Sequence, residues 1–211
     1  MMRFGVIAVL VAWMAVGAGC LSPRGDALPL HTYQLVLGES FGEARPADSN
    51  GPSLLVSPAQ AEPGFETPRM VFFKRLYEVE YFAQSQWADA PARMLTSLLI
   101  QSLDRSGSWR AVLPLPGAGR GDYRLDSSGF AVQQEFLQQP SRVRMTVRTQ
   151  LIDLKESRVV GARTFEALED APSGDAYGGV VAANRAMAAL LDQIGAWLQG
   201  CVRRAPVCGR S

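Results

Sequence analysis

The chain has 211 residues, of which 47% are hydrophobic, 9% aromatic and 19% charged; this excludes a disordered tail or a fibrous repeat and fits one globular domain. Its 21 basic and 20 acidic residues nearly cancel, so there is no surplus of positive charge to grip a nucleic-acid backbone, and no nucleic-acid partner is expected. A single histidine, His31, excludes most metal sites built on imidazole pairs and leaves one candidate base for a Ser-His or Cys-His nucleophile.

In chain order, residues 1–20 (MMRFGVIAVLVAWMAVGAGC) carry one cation, Arg3, then an uncharged run from Phe4 to Val16, then Gly17, Ala18 and Gly19 before Cys20. A basic start, an apolar stretch and small residues at the cut make residues 1–19 a secretory signal peptide. The run is too short to cross a membrane comfortably, since a spanning helix wants about 20 apolar residues. A cysteine directly after the small residues resembles a bacterial lipobox, although Gly17 stands where leucine is usual. The resemblance implies cleavage between Gly19 and Cys20, a diacylglycerol on the Cys20 sulfur and an acyl group on its new amine; a cleaved, soluble secretory protein is the alternative. Each buried CH₂ contributes about 0.8 kcal/mol, so several chains anchor a protein durably where one does not. Leu21 and Ser22 follow with no aspartate next to the cysteine, which by the sorting habit of enteric lipoproteins implies the periplasmic face of the outer membrane. Removal of residues 1–19 takes away Arg3 and no acid, leaving a formally neutral domain whose membrane residence must come from lipid.

Residues 20–30, with Pro23, Gly25 and Pro29, read as a short acylated tether. A single domain is expected over residues 31–200. It opens with a strand at Thr32–Leu37, a loose loop at Gly38–Pro52 and a short apolar strand at Ser53–Val56. Arg69–Phe82, rich in aromatic and β-branched residues, predicts a strand pair with no Asn-Gly or Asp-Gly at its turn. Asp89 is a candidate N-cap ahead of Pro91, and Met94, Leu95, Leu98, Leu99 and Leu103 then recur at helical spacing up to Gly107. Trp109–Leu113 is a strand, Pro116–Asp122 a flexible hairpin loop, and Tyr123–Leu137, Ser141–Asp153 and Arg158–Leu168 three long extended runs. The middle run places Val143, Met145, Val147 and Leu151 on one face and Arg142, Arg144 and Arg148 on the other. A helix from Asp175 to Gly200 closes the domain. The expected architecture is an α+β two-layer sandwich, a mostly antiparallel sheet with two amphipathic helices on one face.

Chemistry is sparse. Gly117, Gly119 and Gly121 precede a strand and not a helix, so they lack the context of a dinucleotide fingerprint. The acids show no paired pattern on a helix face, and no catalytic residue or metal ligand set is assigned. Cys201 and Cys208 enclose six residues just past the last helix; in an oxidising periplasm they predict a disulfide in the 201–211 tail, with two free thiols as the alternative. The aromatic set Phe72, Phe73, Tyr77, Tyr81, Phe82 and Trp87 reads first as core, and Tyr81 and Trp87 are kept as candidates for an acyl-chain groove. Arg142, Arg144 and Arg148 read first as a solvated face balanced by neighbours such as Glu135, and second as a surface for anionic lipid or an acidic partner.

The stretch Glu66–Leu103, with Arg69, the Tyr81-Phe82 pair, Trp87-Ala88, Pro91 and the leucines after it, resembles the ABC-type transport auxiliary lipoproteins, the paraquat-inducible kind among them. The likeness continues through Gly107, Trp109, Val112 and Asp122-Tyr123-Arg124-Leu125. It implies a non-catalytic accessory of an envelope (phospho)lipid transport system, needing no cofactor beyond the lipid on Cys20. It implies docking to a periplasmic mammalian-cell-entry domain protein and ring-like self-association. An envelope lipoprotein that regulates a cell-wall enzyme or stabilises the envelope is the alternative.

Overall fold

The computed structural model describes residues 29–38, 42–117, 119–203 and 208; the expected signal peptide, Cys20 and the expected tether up to residue 28 lie outside the described residues. The strands are β1 (His31–Tyr33), β2 (Ser53–Val56), β3 (Arg69–Phe73), β4 (Glu80–Trp87), β5 (Ala111–Pro114), β6 (Tyr123–Glu135), β7 (Arg142–Asp153) and β8 (Arg158–Asp170). The helices are α1 (Pro91–Arg105), between β4 and β5, and α2 (Ala176–Arg203), after β8.

All eight strands join one curled sheet, and it is mixed where the sequence predicts mostly antiparallel pairing. The alternating runs do form an antiparallel β6–β7–β8 meander. β2 and β3, however, lie parallel to β6, with Val56 opposite Leu125 and Phe73 opposite Glu135, and β5 lies parallel to β2. β4 returns antiparallel to β3, and β1 runs parallel along the outside of β4. The cause sits in β2, whose four residues are all buried. A strand apolar on both faces belongs inside a sheet with a partner on each edge, and a hairpin with a sequence neighbour supplies only one. The following segment stays on the same edge of β6: the amides of Ser57, Gln60 and Glu62 donate to the carbonyls of Leu125, Ser127 and Phe130, so β3 inherits the direction of β2. Asp122 fixes the start of this arrangement. Its Oδ2 accepts the Ser53 amide and hydroxyl at 2.8 Å each, hydrogen bonds that hold its carboxyl below the ordinary aspartate range. Because β5 and β6 flank β2 and run parallel to it, the glycine-rich connection is a crossover and not a hairpin loop.

The helices build one core. α1 lies over β2, β5 and β6, α2 over β7 and β8, and the two touch each other. Leu95, Leu98, Leu99 and Leu103 of α1 are buried, as are Val180, Met187, Leu190, Leu191, Ile194, Trp197 and Leu198 of α2. Among the boundaries that differ from expectation, β1 ends at Tyr33 where the sequence predicts a strand to Leu37, and one end of each helix shifts. Ala90 is the N-cap of α1 and makes no side-chain cap bond; Asp89 instead pairs with Arg93, one turn on, at 2.6 Å. α2 continues past Gly200 to Arg203 because Cys201 extends its buried stripe. The predicted loose loop is held over its described part: the Arg45 and Asp48 amides donate to the Arg105 and Gly107 carbonyls at the end of α1, at 3.0 and 3.1 Å.

The chain end returns to β8, an edge strand. Cys201 is joined to Cys208 with a Cα separation of 4.8 Å, and the Cys208 amide donates to the Val160 carbonyl at 3.1 Å. Gly161 makes this possible, since a Cβ there would stand 2.7 Å from the Cys208 carbonyl oxygen. Closing so short a loop restricts the unfolded chain by about 2.5 kcal/mol in the entropy model. Cys208→Ser is therefore expected to lower the unfolding free energy by up to about 2.5 kcal/mol, and reductant should bring the parent protein to the same value. An urea midpoint indifferent to both changes would refute the staple.

Candidate interaction surface

With α1 and α2 on one side, the opposite side of the β6–β7–β8 meander is left to side chains that the strand alternation sends outward. The register puts Glu135 opposite Arg142, Gln133 opposite Arg144, and Glu166 opposite Thr146. The Glu135 carboxylate accepts Arg142 Nε at 2.9 Å and Arg144 Nε at 2.6 Å, and Gln133 Nε2 donates to it at 3.0 Å. Arg144 reaches on to Glu166 at 2.5 Å. The Glu135 side chain is only 6% exposed. Burial raises its pKa, but hydrogen bonds from Arg144, Arg142 and Gln133 outweigh burial and hold the carboxyl below the usual glutamate range. Arg142 and Arg144 are thus spent on an internal network and do not form a free cationic row. Arg148, opposite Ser128 and Thr164, is exposed and joins no ion pair among the described residues.

The aromatic candidates separate. Trp87 is 3% exposed and belongs to the core, which removes it from any surface role. Phe72 is also core, its ring 4.6 Å from Phe82 and 5.8 Å from Phe136. Tyr81 is half-buried beneath the Arg69 guanidinium, 3.4 Å from the ring centroid. Tyr77 leaves the expected core altogether at 97% exposed. Between the first half of α2 and the sheet, Met70, Phe82, Trp87, Val132 and Gln134 line a cleft with only about 10 Å³ of free volume, far below the ~300–1,000 Å³ usual for small-molecule sites. Gln134 Oε1 has no hydrogen-bond partner there among the described residues, and Gly179 passes so close that a Cβ would meet that oxygen at 2.1 Å.

His31 is exposed, stacked 6.4 Å from Tyr33, and no three His, Cys, Asp or Glu residues gather into a metal site among the described residues. No helix of the described residues is long and apolar enough to cross a membrane. The strand pair expected in Arg69–Phe82 forms as β3 and β4, and what sequence reasoning missed is where its turn falls. Lys74-Arg75-Leu76-Tyr77-Glu78-Val79 has no turn dipeptide, so its strand-like periodicity runs straight through; the adjacent cations at 74 and 75 were the available signal.

A curled mixed sheet, backed on one face by two helices and open on the other, makes this an α+β domain that presents a surface. The family model described as "ABC-type transport auxiliary lipoprotein component" matches residues 33–195, and the chain belongs to that family. Protein XCC0632 from Xanthomonas campestris, of family DUF330, is similar in fold: 19% identity over 82% of this chain and 96% of that one, with a TM-score of 0.71. A crystal structure of an uncharacterized protein is similar at 13% identity, over 81% of this chain and 99% of that one, with a TM-score of 0.61. No curated protein matches the chain significantly.

Proposed function

We propose that the protein is a non-catalytic, lipid-anchored docking component of an ABC-type (phospho)lipid transport system, held at the periplasmic face of the outer membrane through an acylated Cys20. Its membership of the auxiliary lipoprotein family carries the reading. The lipobox-like end at Gly17–Cys20 and the formal neutrality left once Arg3 is removed support it, since a neutral domain depends on its acyl chains for membrane residence. The proposed partner is a periplasmic mammalian-cell-entry domain protein, and the proposed assembly a ring of copies of this chain.

Purification from detergent-solubilised envelopes is expected to bring down a mammalian-cell-entry domain protein in stoichiometric amount. Retrieval of peptidoglycan or a wall synthase in its place would favour the envelope-regulator alternative. Cys20→Ala is expected to leave a folded domain that no longer fractionates with the outer membrane; persistence in that fraction would contradict the anchor.

A further inference from the structure

The strand directions bring several separate features to one end of the sheet. β3 runs parallel to β6 with Phe73 opposite Glu135, so the β3–β4 turn and the β6–β7 turn project from the same end. β1 runs parallel to β4 and pairs only with the last three residues of that strand, His31 opposite Ser85 and Tyr33 opposite Trp87, so it starts in the far half of β4 and runs away from the turn end. Exposed large apolar side chains collect at the turn end: Leu76, Tyr77 and Val79 in the first turn, and Leu137 in the second, each between 44% and 97% exposed.

The first turn is built outward at a cost. The Glu78 amide donates to the Arg75 carbonyl at 3.4 Å, and Tyr77 holds φ +69, a left-handed conformation that turns normally give to glycine or asparagine. The tyrosine occupying it is 97% exposed, so the protein's own packing gives nothing back. The surrounding charges cancel, Lys74 pairing with Glu80 at 3.8 Å and Arg75 with Glu78 at 3.6 Å. A neutral tip carrying leucine, tyrosine and valine matches the interfacial layer of a phospholipid bilayer, where tyrosine is enriched and apolar burial needs no anionic lipid.

We infer that this end is a second membrane contact: the β3–β4 turn, with Leu76, Tyr77 and Val79, seats in the bilayer interface that holds the acyl anchor, and Leu137 of the β6–β7 turn rests beside it. The inference deepens the lipoprotein reading and rests on it. Cys20 precedes Pro29 by nine residues, an extended reach of at most roughly 30 Å. A tether of that length, entering β1 from the direction of the turn end, allows the turns to rest on the membrane that holds the anchor. It also directs the opposite end, and the β7–β8 turn, toward the periplasm.

The experiment uses the full acylated protein in vesicles of phosphatidylethanolamine and phosphatidylglycerol, with or without dibrominated acyl chains. Tyr77→Trp places a fluorophore at the turn, and Val159→Trp, 53% exposed in the parent, places one at the far end of the sheet. The unsubstituted protein supplies the background of its buried tryptophans. Brominated lipid is expected to quench the added emission at position 77 roughly twofold or more and to leave position 159 unchanged. Equal quenching at both positions, or none at 77, overturns the inference. So does a blue shift at 77 that grows with protein concentration and ignores bromination, which would assign the turn to a second copy. Intact mass reads acylation separately: a protein without added lipid refutes the anchor, while the 77-to-159 contrast at high vesicle concentration still decides the turn.

Discussion

Trp87→Ala is expected to lower the unfolding free energy by about 3–5 kcal/mol, a loss on the order of 10 °C in Tm for a domain of this size. The ring is 3% exposed, and its backbone amide donates to the Pro68 carbonyl at 2.7 Å. β4 is paired on both edges, to β1 and to β3, so the strand cannot close over the space a deleted indole leaves. Cavity formation then adds to the lost transfer energy. Thermal denaturation followed by circular dichroism measures the change. A variant with the parental Tm that has lost only lipid or partner binding would return Trp87 to a surface role.

Glu135→Gln is the second large effect, with an expected loss of about 2–3 kcal/mol. That is less than the ~3–5 kcal/mol for breaking a fully buried pair, because Arg142 and Arg144 keep 29% and 27% of their side-chain surface in water. The change leaves two guanidiniums facing a neutral amide on a crowded sheet surface. Its pH signature distinguishes it from a packing defect. The folded-state pKa of Glu135 is lowered, with burial opposing and hydrogen bonds from Arg144 and Arg142 prevailing. Its stabilising contribution is therefore complete above the unfolded value near 4.3 and disappears as pH falls through the lower folded value. The parent should lose stability in that acid window more steeply than Glu135→Gln, and the two curves should converge at the bottom of it. Parallel curves in urea titrations across that range would exclude the network as the source.

Element identity was legible wherever periodicity was long. The leucines of α1, the stripe of α2 and the inward face of β7 at Val143, Met145 and Val147 are buried as their spacing predicts. Glu135 as a counter-charge to the arginine row was also legible, because a hairpin between two long strands brings its flanking residues face to face. Strand direction was not. Ser53–Val56 and Arg69–Phe73 are short apolar runs whose composition is the same for a hairpin and for a parallel partner of β6. Tyr77 reads as core from sequence because composition does not separate a strand residue from a turn residue in a stretch rich in aromatic and β-branched side chains. Asp89 stands one residue before the N-cap Ala90, where its carboxylate accepts the Ala90 amide at 2.7 Å and pairs with Arg93.

Taken alone, the sequence determined the number and order of the elements, the two helical core stripes, the near-zero charge and a lipobox-like Cys20, since each follows from local spacing or composition. Tertiary structure alone decided that the sheet is mixed, that Arg142 and Arg144 are neutralised together, and that the exposed β3–β4 and β6–β7 turns share one end of the sheet. The physical reason is that direction and pairing come from long-range hydrogen bonds along β6, to Ser57, Gln60 and Glu62, which no local pattern of residues encodes.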